Sequence, residues 1–320
     1  MNARGKDGIA VRFGKMSKTA AVVVTWNRKD MLRQCLDCII GQQGADCDVL
    51  VIDNASTDGT YDMVTADYAV PRVHYLDTGD NLGGAGGFMC GIEAAVTMGY
   101  DRIWIMDDDC FPNPTALAEL LKADEELGGR WGFLCSAIYW TDGEICKFNR
   151  PKKDAFRHVD ERDYRRKLVP VKMTSFVSAM FRAEVVREVG LPIAEYFIWT
   201  DDYEYTGRIS KLHPSYAVSA SKVAHAMRAN ARPSLATEDI SRIGRFYYLS
   251  RNDVHCYRQH GAIGYAYLVA KTVYTAVDIL LHARSGRGGR LYQLVQGTVD
   301  GFAFDPSVRH VNPNNHRIAR

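Results

Sequence analysis

The chain has 320 residues, of which 47% are hydrophobic and 24% charged, a globular composition that excludes disordered and fibrous classes. The formal net charge of +2, from 40 basic and 38 acidic residues, hides an uneven distribution. Residues 207–320 carry a net charge of +10 and residues 1–206 a net charge of −8. An acidic front and a basic back indicate two parts with different partners.

Nothing in the sequence is typical of a secreted or membrane-spanning protein. The first eighteen residues are basic and contain no long apolar stretch. The most apolar segment, Gly261–Leu281, is interrupted by Lys271 and Asp278. Of the eight scattered cysteines, only Cys35 and Cys38 have C-x-x-C spacing, and no second pair completes a zinc site. We therefore expect a cytoplasmic protein with reduced thiols.

Apolar, β-branched runs alternate with helical segments in the first third of the chain. Because strands that are apolar throughout are buried on both faces, this alternation predicts an α/β fold with a mostly parallel sheet flanked by helices. The predicted strands are Thr19–Thr25, Asp48–Asp53, Arg72–Leu76 and Arg102–Met106, and the predicted helices are Lys29–Ile40 and Gly87–Met98.

A second unit follows, and a helical section completes the chain. It is predicted to contain a strand at Val171–Phe181, a helix at Arg182–Val189, a helix capped by Thr200 and a strand at Ser215–Ala226. Residues 236–282 read as helical, and Ser285–Arg290 as a flexible basic loop. The predicted organisation is a basic N-terminal tail at residues 1–18, a main domain at 19–232 and a basic, mainly helical C-terminal region at 233–320.

Three predicted strands run directly into polar clusters, Thr25–Arg28, Asp53–Gly59 and Asp107–Asp109. In open α/β sheets, ligands bind beyond the carboxyl ends of the strands, so these clusters predict one site. Turn formation explains the second cluster well. It explains three consecutive aspartates poorly, because their repulsion needs compensation. Hard carboxylate ligands suit Mg²⁺ or Mn²⁺ shared with a substrate diphosphate, and the alternative is a solvated acidic loop.

Two further segments carry candidate chemistry. The glycine-rich turn Asn81–Phe88 lets backbone N–H groups approach a phosphate, but it does not complete the G-x-G-x-x-G pattern of dinucleotide-binding proteins. Asp201 and Asp202 begin a predicted helix, where either a general base or simple capping explains them. His225, near the end of a strand, is either a third metal ligand or structural.

These clusters, in this order, resemble family 2 glycosyltransferases with the GT-A fold, over roughly residues 19–230. Within that family the chain is most similar to the galactofuranosyltransferase and rhamnosyltransferase branch, because Trp199 precedes paired aspartates and a downstream histidine. Thr200 separates the tryptophan from the aspartates, which are adjacent in the galactofuranosyl pattern.

The resemblance implies a role for each cluster. Asp202 is the implied catalytic base, and Mn²⁺ or Mg²⁺ is the implied cofactor, held by Asp107, Asp109 and His225. The implied acceptor and support residues are Trp199, Asp201, Glu204 and Arg208. The implied nucleotide-sugar-binding residues are Thr25, Asn27, Arg28, Asp53, Asn81, Gly83, Gly84, Asp107 and Asp108.

The function that follows from the resemblance is inverting, metal-dependent transfer of a sugar, with galactofuranose favoured. The donor is a nucleotide sugar, UDP-galactofuranose, and the acceptor a saccharide or lipid-linked glycan, as in cell-surface polysaccharide synthesis. Three alternatives are a rhamnosyltransferase using dTDP-rhamnose, a nucleotidyltransferase and a non-catalytic nucleotide-sugar-binding subunit.

Aromatic residues alternate with arginines in the C-terminal section, as in Arg245-Phe246-Tyr247-Tyr248. This pattern fits peripheral contact with the inner face of the cell membrane. It fits equally a helical subdomain whose tyrosines pack internally or form a homo-oligomer interface. Nucleic acid is not an expected partner, because no matching motif accompanies the positive charge.

Overall fold

A mixed sheet forms the centre of the protein. The computed structural model describes residues 18–154 and 157–312 of the chain. The predicted N-terminal tail lies outside the described residues except for Lys18. Within this part of the chain the strand order is β3-β2-β1-β4-β8-β6-β9-β5, and β7 pairs with β9. The strands are β1 (Thr19–Thr25), β2 (Asp48–Asp53), β3 (Val73–Asp77), β4 (Arg102–Asp107), β5 (Cys110–Pro112), β6 (Phe133–Trp140), β7 (Leu168–Val171), β8 (Ala179–Arg182) and β9 (Ser215–His225).

Helices cover both faces of the sheet. Alternate residues of the central strands point to opposite faces, so Val22 and Val24 pack on the side of α3 while Ala21 and Val23 pack on the side of α1. The helices are α1 (Lys29–Ile40), α2 (Thr60–Asp67), α3 (Gly83–Thr97), α4 (Ala116–Leu127), α5 (Ala183–Val189), α6 (Asp201–Ser210), α7 (Arg245–Arg258), α8 (Gly261–His282) and α9 (Arg287–Ala303).

The sheet is parallel where the sequence pattern was clearest and mixed beyond it. The pairs β1–β2, β1–β4 and β2–β3 are parallel, whereas β8 lies antiparallel to both β4 and β6. The predicted strand Val171–Phe181 is wrong, because it divides into the end of β7 and the start of β8. The intervening residues include Thr174 and Ser178, whose buried polar groups bond to side chains of other elements.

The C-terminal helices form a bundle with a small core of its own, centred on Phe246, Ile279 and Leu294. The predicted loop Ser285–Arg290 is wrong at its end, because α9 begins at Arg287. Arg290 is buried, and its guanidinium donates to the carbonyl oxygens of Leu235 and Glu238. No helix among the described residues combines the length and apolar character that crossing a membrane requires.

Candidate active site

The register of the parallel strands brings the predicted clusters together. Thr25 lies opposite Asp53 across the β1–β2 pair, and Val24 lies opposite Asp107 across the β1–β4 pair. The carboxyl ends of these strands therefore meet at one edge of the sheet, where the loops after them form a single site.

The aspartate cluster is held by an arginine, a histidine and a hydroxyl group. The Thr25 hydroxyl donates to Asp108 at 2.8 Å, and the Arg28 guanidinium contacts both Asp108 and Asp109 at 2.9 Å. The Nε2 atom of His225 lies 3.1 Å from the Oδ1 atom of Asp109. Arg28 and His225 thus position Asp109 from two sides.

Burial sets the proton affinities of this cluster. Burial, with Asp109 nearby, raises the pKa of Asp107 to about 7, and burial raises the pKa of Asp108 to about 7 although Arg28 opposes it. Burial also acts against ionised Asp109, but His225 and Arg28 outweigh it and hold the pKa of Asp109 well below its usual range. Three ionised carboxylates at this place need additional positive charge, which a divalent cation would supply.

The same groups fit a metal ion. One ligand atom from each of Asp107, Asp109, Cys110 and His225 lies within 4.8 Å of all the others. The carboxylates and imidazole are suitable ligands for Mn²⁺, and the carboxylates for Mg²⁺. Cys110 was not recognised as a candidate ligand in the sequence, although it directly follows the three aspartates.

The loops after β1 and β2 are bonded to each other. The Asn27 N–H donates to the Ser56 hydroxyl at 2.8 Å, and the Thr57 N–H donates to the Asn27 side chain at 2.7 Å. Asp53 is fully buried and accepts hydrogen bonds from the Tyr75 hydroxyl and the Ser56 N–H. These bonds hold the Asp53 carboxylate at the end of β2.

The glycine-rich segment forms the first turns of α3, which begins at Gly83 rather than at the predicted Gly87. Gly83 has a φ of +70°, and a Cβ there would lie 2.1 Å from the carbonyl oxygen of Phe197. Its own N–H and C=O groups bond to Asn81 and Asn54, respectively. Gly84 is free of such crowding, because a Cβ there meets no described atom within 4 Å. The first turn of α3 therefore packs directly against the segment that leads to Asp201.

The second acidic cluster, Asp201 and Asp202, lies close enough to Asp107 for that carboxylate to affect the pKa of Asp201. Burial, then Asp202 and then Asp107, raise the pKa of Asp201 well above its usual value. Thr200 occupies the predicted N-cap position of α6, with a φ of +70°, but its side chain makes no cap hydrogen bond. Instead, Asp202 accepts a hydrogen bond from the N–H of Tyr203 at 2.7 Å.

Asp202 has the proton affinity of a useful base. Burial raises its pKa to about 6, while bonds to its backbone surroundings and the charge of Lys152 act in the opposite direction. The Lys152 ammonium lies 4.3 Å from the ring centroid of Tyr203, the residue after Asp202. Lys152 was not recognised in the sequence, because its connection to Asp202 arises only in the fold.

The segment before Asp201 adopts strained backbone geometry. Phe197, Trp199 and Thr200 have φ values of 64°, 65° and 70°, which non-glycine residues rarely adopt. The buried Asn252 of α7 donates to the carbonyl oxygens of Tyr196, Ile198 and Trp199 at 2.9, 3.1 and 3.0 Å. One amide from the C-terminal bundle therefore holds the strained segment in place.

Three predicted acceptor residues have clear structural contacts. Trp199 packs edge-on against Phe246, with ring centroids 4.8 Å apart. Glu204 and Arg208 form a bidentate ion pair with distances of 2.9 and 3.0 Å, and Arg208 also donates to the carbonyl oxygen of Leu191. This pair braces α6 behind Asp202.

Sequence comparison identifies the family. The profile of Glycosyl transferase family 2 matches residues 20–190. Galactofuranosyltransferase GlfT1 of Mycolicibacterium smegmatis is 30% identical over 204 residues, covering 59% of this chain and 64% of the relative. An undecaprenyl-phosphate mannosyltransferase of Micrococcus luteus is 45% identical over 79 residues, covering 24% of this chain and 32% of that protein. The chain thus matches less than two thirds of the length of either relative.

Solved structures share the fold at low sequence identity. Staphylococcus aureus TarS 1–349 in complex with UDP has a TM-score of 0.52 at 14% identity, covering 90% of this chain and 72% of that one. Mannosyltransferase PcManGT of Pyrobaculum calidifontis, solved with GDP-Man and Mn²⁺, has a TM-score of 0.53 at 14% identity, covering 90% and 76%. The predicted GT-A-type fold and the resemblance are both confirmed, and the chain belongs to glycosyl transferase family 2.

Proposed function

We propose that this protein is an inverting, metal-dependent glycosyltransferase that moves galactofuranose from UDP-galactofuranose to a glycan hydroxyl. The observation that carries the proposal is a half-buried base, Asp202, next to Asp201, which is itself near Asp107 of a carboxylate–histidine cluster with the donor set of a divalent metal. The 30% identity to a protein named as a galactofuranosyltransferase supports the choice of sugar.

The donor is assigned to the edge formed by β1, β2 and β4. Asp107, Asp109 and His225 would hold Mn²⁺ or Mg²⁺, which neutralises the diphosphate and makes it a better leaving group. The loops after β1 and β2 and the first turn of α3 would enclose the nucleotide. The residues assigned to that enclosure are Thr25, Asn27, Arg28, Asp53, Asn81, Gly83, Gly84 and Asp108.

Asp202 is assigned the proton transfer. The acceptor hydroxyl oxygen forms a bond to the anomeric carbon while its proton passes to the Asp202 carboxylate. The bond from that carbon to the diphosphate oxygen breaks, and the nucleoside diphosphate leaves with the electron pair. Attack from the side opposite the diphosphate inverts the configuration. Asp201 and Trp199 would border the acceptor, and the Glu204–Arg208 pair would keep α6 in position.

The decisive variant is Asp202→Asn, which keeps the shape of the side chain and removes the base. We expect kcat to fall by about 10²–10⁴-fold, with donor affinity unchanged. Asp46→Asn is the control, because the Asp46 side chain is 95% exposed. Full activity of a correctly folded Asp202→Asn protein would reject the assignment.

Product analysis separates the enzyme classes. Release of UDP from UDP-galactofuranose supports glycosyl transfer, whereas release of pyrophosphate from UTP and a sugar phosphate identifies a nucleotidyltransferase. Donor binding without turnover would identify a non-catalytic subunit.

A rhamnosyltransferase is the second candidate, because Thr200 is inserted between Trp199 and the aspartates. Comparison of UDP-galactofuranose and dTDP-rhamnose in a thermal-shift assay with Mn²⁺ decides between them, since the true donor stabilises the folded protein by mass action. Stabilisation by dTDP-rhamnose alone would replace galactofuranose in the proposal.

We propose further that a lipid-linked glycan is the acceptor and that α8 and α9 contact an anionic membrane. These helices expose a broad apolar face, with Tyr274 73% and Leu281 69% accessible. The two acidic residues of the helices are engaged, Asp278 with His282 and Asp300 with Tyr247. The exposed Arg284 and Arg287 lie where the helices join. The other large exposed side chains of the face are Ile263, Tyr265, Tyr267, Val269, Val273, Val277, Leu280, Tyr292, Val295, Val299 and Phe302.

Vesicle binding tests this surface. The full chain should sediment with phosphatidylglycerol vesicles at low salt, and a Tyr274→Asp/Leu281→Asp variant should bind at least about tenfold more weakly. A Leu212→Asp variant is the control, because Leu212 is 61% exposed and lies outside the bundle. Dimerisation in solution that is lost in the α8 variant, without vesicle binding, would assign the face to a homo-oligomer instead.

A further inference from the structure

Cys110 lies directly beside the candidate metal centre. It follows Asp109 in the chain, and it pairs with His225 across the antiparallel β5–β9 ladder. Residues opposite each other in such a pair direct their side chains to the same face. The Cys110 sulfur accordingly joins the compact group formed with Asp107, Asp109 and His225, whose ligand atoms all lie within 4.8 Å of one another.

The four groups form a mixed donor set. Two carboxylates, one imidazole and one thiol are all ligands of Zn²⁺, which prefers four-coordinate tetrahedral sites with nitrogen and sulfur ligands. Mn²⁺ and Mg²⁺ favour oxygen and gain little from sulfur. A site with four protein ligands is closed, whereas a catalytic site keeps a position open for water or substrate.

We propose that Cys110 makes this centre a binding site for Zn²⁺ that competes with the activating metal. This inference rests on the proposed function, in which Mn²⁺ or Mg²⁺ would use Asp107, Asp109 and His225 and leave room for the diphosphate. Zn²⁺ would add Cys110 as its fourth protein ligand, release the thiol proton to solvent and leave no position for the donor. Zinc would therefore inhibit in competition with Mn²⁺ and with the nucleotide sugar.

The surrounding residues support this selectivity. Cys110 is completely buried, beside Asp109 and opposite His225. Its neighbours are carboxylates, and a dication would offset their charge. Cys146, which also lies next to His225, is outside the group of four and serves as the internal control.

Cobalt reports the sulfur ligand without any activity measurement. The metal-free full-length protein is titrated with Co²⁺, whose bond to a thiolate gives a charge-transfer absorption in the near ultraviolet. We expect this absorption in the wild-type protein and in Cys146→Ser, and its loss in Cys110→Ser and Cys110→Ala. By calorimetry, the Cys110 variants should bind Zn²⁺ at least about tenfold more weakly while Mn²⁺ affinity stays within about twofold.

Each outcome has a definite meaning. Absence of the absorption in the wild-type protein overturns the inference even where a variant fails to fold. Its persistence in Cys110→Ser, or its loss in Cys146→Ser, also overturns it. Failure of Mn²⁺ to bind the wild-type protein would instead remove the metal from the proposed function. If the wild-type protein binds Mn²⁺ normally and Cys110→Ser has unaltered Zn²⁺ affinity, the zinc inference is rejected and the proposed function is not.

Discussion

Asp109 and Asp202 carry the same side chain, and their surroundings give them opposite proton affinities. Contacts with His225 and Arg28 outweigh the burial of Asp109 and hold its pKa below the usual range. Asp202 has a weaker compensating charge, Lys152, and burial raises its pKa to about 6. One carboxylate therefore remains ionised for a metal while the other can take up a proton, a division of roles that environment alone produces.

The pH dependence of transfer follows from Asp202. The base acts in its ionised form, so kcat at saturating substrates should fall about tenfold for each pH unit below about 6 and level off above it. The Lys152→Met variant removes a positive charge that lowers this pKa, so its profile should move to higher pH. A profile that is flat between pH 5 and 7 in both proteins would contradict the role of Asp202.

The strained segment depends on Asn252. Replacing it with alanine removes three hydrogen bonds from the carbonyl groups of residues 196, 198 and 199. Left-handed φ values at non-glycine residues cost about 1–3 kcal/mol each, so the segment should relax. We expect faster amide exchange at residues 197–203 and a lower kcat with unchanged donor affinity. Asn230→Ala, which removes two hydrogen bonds elsewhere, should leave both unchanged.

Much of the candidate site follows from residue type and position along the chain. The three aspartates, Asp202 and His225 are recognisable because each lies at or next to an end of a regular element. Arg28 as a bridge, Cys110 as a neighbour of His225 and Asn252 as a clamp are not recognisable. Their roles depend on contacts between distant parts of the chain, such as the 81-residue separation of Arg28 and Asp109.

At the level of elements, α3 lies close to the sheet because it lacks side chains at two positions. A Cβ at Gly87 would be 2.5 Å from Val24, and one at Gly91 would be 2.4 Å from Val22. Both valines are buried in β1 and cannot move away. Gly87, which belongs to the turn that suggested phosphate contacts, thus also determines, together with Gly91, how closely the helix packs.

Gly91→Ala tests this packing. We expect a loss of about 1–3 kcal/mol in the free energy of unfolding, because the added methyl group overlaps Val22 and Ile52. Gly84→Ala is the matched control on the same helix, where the space is open, and it should stabilise the protein by about 0.4–1 kcal/mol. Equal changes in the free energy of urea unfolding for the two variants would show that helix propensity, not packing against β1, dominates.

The bounds of β1, α1 and β2 are as predicted, because buried apolar runs and helical periodicity are both strong there. The helices α2 and α4 and the strand β6 were not predicted. α9 was partly mistaken for a loop since its first turn contains glycine and arginine. Arg290 belongs to the bundle core only because carbonyl groups of residues 235 and 238 surround its guanidinium. These hydrogen bonds, which allow a charged side chain to be buried, cannot be recognised in the sequence around Arg290.

For the whole molecule, the acidic front and basic back correspond to different tasks in the proposed function. The front holds the carboxylate clusters, whose repulsion a bound cation would offset. The back forms the bundle with its apolar face and exposed arginines. Metal binding should therefore stabilise the fold as well as support turnover.

Removal of the metal tests this coupling. EDTA should abolish transfer, and added Mn²⁺ should restore it. Mn²⁺ with UDP, at about 100 times the dissociation constant, should raise the free energy of unfolding by about 2.7 kcal/mol. Asp109→Asn is expected to lose the stabilisation by Mn²⁺ while Asp160→Asn retains it. Full transfer by the metal-stripped enzyme would contradict the assigned cofactor.

The Asn252 clamp has a consequence for modularity. The proposed main domain ends at residue 232, yet the geometry of the segment before Asp201 depends on an amide twenty residues beyond that boundary. Chimeras that exchange the C-terminal bundle between relatives should keep the strained segment intact only where the incoming bundle supplies an equivalent amide. We therefore expect that a chain divided at residue 232 would lose the support of the segment before Asp201.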